Sequence, residues 1–187
     1  MNIGVAVAVA LIAGIAVGVA AMYLVQQRRT QRLKQRFGPE YERVIAETGD
    51  RGVAEARLDV RRRRVEKLQI RSLTPAERAR FQEDWREVQA RFVDDPGAAV
   101  NKADRLVGEV MSLEGYPMLE FEKRAEDISV DHPVVSENYR EGHRVALRHD
   151  EGRASTEDLR KAMIHYRTLL EELLGQSEFV PSERTRI

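Results

Sequence analysis

The stretch TPAERARFQEDWREVQARFVDDPGAAVNKADRLVGEVMSLEGYP, residues 74–117, decides the fold. Thr74-Pro75-Ala76-Glu77 joins an N-cap hydroxyl to a proline at the first helical position and a glutamate three residues after the cap. This is a capping box, which satisfies backbone N–H groups that a helix start leaves orphaned. Phe81, Trp85, Val88 and Phe92 follow at spacings of four, three and four, which predicts one buried helix face. Asp94-Asp95-Pro96 stops this helix and starts another, in which Val100, Ala103, Val107 and Val110 repeat the pattern up to Leu113. Gly115-Tyr116-Pro117 ends it. Two capped amphipathic helices joined by a short loop, in a chain with hardly any period-two alternation, predict an all-α fold.

The same punctuation continues towards the C-terminus. A shorter helix with Phe121, Ala125 and Ile128 leads to Asp131-His132-Pro133, and Val135, Tyr139 and Ala146 mark a helix reaching about His149. Ser155, with Asp158 three residues later, caps a last helix whose Leu159, Met163, Tyr166, Leu170 and Leu173 give the cleanest stripe, closed by Gly175. Short connections favour antiparallel neighbours, so residues 74–175 are expected to form a bundle of four to five helices. The polar tail 176–187 is expected to be disordered.

Towards the N-terminus, residues 28–73 read as a charged helical arm. Gly38-Pro39 ends one helix and starts a short one reaching Glu47, which Gly49 closes. From Asp50, a candidate N-cap, a charged helix is predicted to about Gln69. Its stripe of Ala54, Leu58, Val65 and Leu68 is interrupted by Arg61, so it is expected to pack over part of its length only.

Residues 1–27 read as a membrane anchor, the lipid bilayer being met through residues 3–25. Ile3–Val25 is apolar and uncharged, and as a helix it spans about 34 Å against roughly 30 Å of bilayer hydrocarbon. A cleaved signal peptide would need a basic start and a shorter apolar core. Arg28, Arg29, Arg32, Lys34 and Arg36 follow the span and no side-chain charge precedes it. The expected topology is single-pass in the cell inner membrane, N-terminus out and C-terminal domain cytoplasmic. Ala6, Ala10, Gly14 and Gly18 recur every fourth residue, a spacing that suits helix pairing but also arises by chance in such a composition.

The 31 basic and 31 acidic residues all follow Gln27 and cancel, so no global field directs the protein to nucleic acid. The absence of cysteine removes thiol chemistry from this sequence and fits a reducing compartment. His132, Glu137, His143 and His149 invite a metal hypothesis, but their separations miss the three-or-four-residue spacing that ligands on one helix require. His149 reads better as a residue at a helix C-terminus, and His165 borders an apolar face beside Tyr166. Asp94 and Asp95 resemble an acid–base pair, yet a position before Pro96 is explained by capping. Arg61–Arg64, with Arg57, Lys67 and Arg71, form the densest basic patch. Interspersed Glu55, Asp59 and Glu66 favour a solvated face, then anionic lipid contact, with nucleic acid last. No nucleophile elbow, phosphate loop or dinucleotide fingerprint is present, and no catalytic, cofactor-binding or metal residue is assigned.

DWREVQARFVDDPGAAVNKADRLVGEVM (84–111), Gly115-Tyr116-Pro117 and SVDHPVVSENYREGH (129–143) resemble a family of small bacterial proteins with an N-terminal hydrophobic segment and a helical domain. The resemblance covers most of residues 75–175 and implies the architecture, with no catalytic residues to carry over. The expected function is a protein-interaction or scaffold module at the inner membrane surface, through a protein partner or self-association. Two alternatives stand beside it: a metal-binding or enzymatic domain built on Asp131, His132, Glu137, Tyr139 and His143, and a domain contacting anionic lipid.

Overall fold

The computed structural model describes residues 3–175, of which 82% are helical, in eight helices with no strand. The all-α expectation is therefore met among the described residues. The tail 176–187 and the side chains of Ala6 and Ala10 lie outside them. The chain divides into two compact units between Leu58 and Asp59, within one helix.

The first unit holds α1 (Ile3–Phe37), α2 (Pro39–Thr48) and the start of α3 (Arg51–Val65). Along α1, Leu11, Ile12, Ile15, Val17, Val19, Met22, Leu24 and Val25 are all exposed, and the helix is long and apolar enough to cross a membrane. The character then changes without a break in the helix. Thr30, Leu33 and Phe37 are buried, as are Tyr41 and Val44 of α2 and Ala54, Glu55 and Leu58 of α3. One carboxylate ties the three helices: Glu55 Oε1 accepts from Thr30 Oγ1 (2.7 Å), Tyr41 OH (2.9 Å) and Arg51 Nε (3.0 Å). Burial pushes the Glu55 carboxyl up, but these donors outweigh it and hold it below the usual glutamate range.

The second unit contains the rest of α3, then α4 (Pro75–Arg91), α5 (Pro96–Glu114), α6 (Phe121–Asp131), α7 (Pro133–Asp150) and α8 (Thr156–Leu173). Both capping boxes form, Thr74 with Glu77 and Ser155 with Asp158. α5 is central, packing against α4, α7 and α8, and buries Ala99, Val100, Ala103, Leu106, Val107, Val110 and Met111. Gly115 ends it at φ +103, where a Cβ would stand 2.7 Å from the Gln69 carbonyl oxygen, so glycine is required. The stripe on α8 is buried throughout, from Leu159 to Leu173.

Two expectations need correction. Of the four residues assigned to one buried face of α4, Phe81 and Val88 are buried but Trp85 and Phe92 only partly. α4 packs chiefly on α5, which covers a narrow strip. Arg61 does not interrupt the α3 stripe either, being only 6% exposed. Its Nη1 donates to Ser129 Oγ at 3.1 Å and its Nη2 lies 3.4 Å from Glu126. Next to it, Arg64 pairs with the fully buried Asp127 and with Glu126. α3 ends at Val65, short of Gln69, and Leu73 is buried in the connection that follows.

Candidate functional site

On α5 the ridge Val100, Asp104, Val107, Met111 follows the helical repeat, and its one charged member is the centre of a polar cluster. Asp104 Oδ1 accepts from Tyr166 OH of α8 at 2.8 Å and lies 3.2 Å from His143 Nδ1 of α7, an arrangement that places the imidazole proton on Nδ1. Phe121 stacks on the His143 ring with centroids 3.6 Å apart and planes within 9°, and lies 4.8 Å from Tyr139. Gly142 lets α7 come this close to α8, because a Cβ there would stand 2.9 Å from the Tyr166 ring.

Burial pushes Asp104 up, but hydrogen bonds from His143 and Tyr166, with the Arg124 charge behind them, leave it below the usual aspartate range. It is therefore a carboxylate at neutral pH. Burial and that same carboxylate push the Tyr139 and Tyr166 hydroxyls up, so both stay protonated. The Tyr139 OH is buried without a hydrogen-bond partner, as is Nε of Arg124.

Asp104 also borders a cavity of about 490 Å³ between α4, α5 and the start of α6. Its floor is Gly108, where a Cβ would meet Met118 Cε at 3.4 Å and Arg124 Nη1 at 3.5 Å. Phe81, Leu113 and Met118 give apolar walls, and Arg80, Arg105 and Arg124 bring three guanidinium groups to the lining. Arg80 lies 3.5 Å from Asp84 and 3.6 Å from Glu109.

The chain matches no family model, no curated protein and no solved structure.

The polar cluster expected around Asp131 and His143 is not assembled as one site. Asp131 accepts from Tyr116 OH at 3.0 Å, His132 Nδ1 lies 3.1 Å from Glu172 Oε1, and Glu137 is exposed. Tyr139 and His143 instead belong to the Asp104 cluster. His149 lies against Gly97 at the start of α5, where any Cβ would run into its ring, and His165 Nδ1 is 2.7 Å from Asn138 Oδ1. Among the described residues no group of three His, Cys, Asp or Glu is placed to hold a metal ion. Asp95 is the N-cap of α5, accepting from Ala98 N at 3.0 Å, and Asp94 is exposed beside it.

The basic patch is largely neutralised. Arg61 and Arg64 pair with α6, Arg62 with Asp59 and Glu66, Arg63 with Asp59, and Arg71 with both oxygens of Glu77. Arg57 and Lys67 stand exposed. Sequence reading missed Asp104 and Arg124. An aspartate on a ridge of valines was the available signal for the first, while Arg124 carried none.

Proposed function

We propose that this protein is a single-pass membrane-anchored interaction module. Its N-terminus lies outside and its helical bundle is cytoplasmic at the inner membrane of a bacterium, kin to the small anchored helical proteins its sequence resembles. The carrying observation is the surface of α1. From Leu11 to Val25 its apolar side chains are exposed around the whole circumference, a pattern suited to a lipid solvent and not to one buried stripe. The basic residues directly after the span support the orientation, since basic flanks are retained on the cytoplasmic side.

Support for an interaction role comes from the second unit, where Met118 and Leu119 are exposed side by side and Val134, Leu147 and Ile164 are exposed on α7 and α8. The arm from Asp59 to Leu73 adds nothing to this, because Arg61, Val65 and Leu73 are already covered. The protein or self-association partner is tested by photocrosslinking from Leu119 in intact membranes. A specific adduct with a second copy or one partner is expected, and no adduct at any protein level removes the interaction reading while leaving the anchor untouched.

A further inference from the structure

We propose that the cavity between α4, α5 and α6 binds a small organic monocarboxylate with an apolar tail, its carboxylate held by Arg124 and Arg105. The site lies wholly within the second unit, so the inference is independent of the anchoring.

Arg124 is the group that calls for a ligand. Its guanidinium reaches the cavity floor at Gly108, yet its side chain makes no hydrogen bond or ion pair among the described residues, and its Nε is buried. A buried charged donor without an acceptor carries a desolvation penalty that an incoming oxyanion relieves. Asp104, whose carboxyl feels the Arg124 charge, points its Oδ1 at Tyr166 and His143. Arg105, also in the lining, is exposed and has no ion pair among the described residues.

Charge counting selects the ligand's valence. Three arginines and the two acids Asp104 and Glu109 leave the lining at a formal charge of +1, which one negative charge neutralises. A dianionic phosphate ester would place an excess charge beside two carboxylates. A carboxylate also matches the two-pronged donor geometry of a guanidinium.

The rest of the cavity selects the tail. Phe81, Leu113 and Met118 offer apolar surface beside the guanidinium groups, Arg80 lying over the Phe81 ring and Met118 next to Arg124 at Gly108. A volume of about 490 Å³ falls in the usual range of small-ligand sites, roughly 300–1,000 Å³.

The test uses the full chain in lipid nanodiscs with hexanoate, hexanol and hexyl phosphate as probes, empty nanodiscs correcting for partition into lipid. Amide shifts of Gly108 and Ser112 report the site. Expected are saturable shifts with hexanoate, at least ten-fold weaker binding of hexanol, and weaker binding of hexyl phosphate than of hexanoate. Arg124→Met should weaken hexanoate at least ten-fold and Arg105→Gln about three-fold. Should Arg124→Met not fold, the wild-type probe series and the exposed Arg105→Gln still decide. Hexanoate shifts no larger than with empty nanodiscs, equal binding of hexanol, tighter binding of hexyl phosphate, or indifference to Arg105→Gln would each overturn the assignment.

Discussion

Glu114 is a buried carboxyl at the end of α5 whose Oε2 has no hydrogen-bond partner, and its chemistry sets a pH dependence. Burial pushes it up to about 8, Asp131 adding to the rise and Arg71 opposing it. An unfolded glutamate titrates near 4.3, so between about pH 4.5 and 8 the unfolded chain has released a proton that the folded chain retains. Stability should fall with rising pH across that window, by at most about 1.4 kcal/mol per unit, and level off above it. Glu114→Gln mimics the protonated form and should flatten this slope in denaturant titrations, gaining on the wild type as pH rises from 5 to 8. An unchanged slope would remove Glu114 as its source. Tyr166→Phe deletes one donor to the Asp104 carboxylate at constant ring packing, and a loss of about 1.5–3 kcal/mol is expected from its denaturation midpoint. Neither residue was legible as such. Tyr166 fitted the apolar stripe of α8, and its acceptor lies 62 residues away, beyond any local pattern.

At the scale of elements, what was legible is what is encoded locally. A capping box involves four consecutive residues, and both boxes, together with the helix stops at Gly49, Gly115 and Gly175, stand where their spacing placed them. Partners of distant sequence were not legible, as Arg61 shows: its charge interrupts an apolar stripe until Ser129 and Glu126 of α6 are in place. Glu55 is the same case in the first unit, a carboxylate in a run of charges that becomes the tie between three helices. Glu55→Ala leaves the Thr30 and Tyr41 hydroxyls without their acceptor at a buried position, each costing about 1–3 kcal/mol. Amide exchange should accelerate across Thr30–Phe37 and the whole of α2, while α5 and α8 exchange as before. Acceleration confined to α3 would show that the carboxylate does not tie α1 and α2.

For the whole molecule, composition separates two kinds of surface. All 62 charged residues follow Gln27, and in the second unit most of those described form pairs within or between helices, so charge there is compensated largely by near neighbours. The apolar surface of α1 has no such internal answer. Its apolar character was readable from residues 3–25 because it is a matter of local composition, and the helix is long and apolar enough to cross a membrane. The proposed orientation rests on the charges beside it and can be turned against itself. Arg28, Arg29 and Arg32 are exposed, so replacing them by glutamine while adding lysines after Met1 leaves the buried Thr30, Leu33 and Phe37 untouched. If basic residues set the topology, a C-terminal fluorescent reporter should be bright and a C-terminal alkaline phosphatase silent on the natural chain. On the altered chain phosphatase activity should appear in a substantial fraction of molecules, because the charge bias now favours retention of the other end. An active phosphatase on the natural chain would reverse the orientation, and equal insertion of both chains would mean that something other than these three arginines holds the second unit where it is.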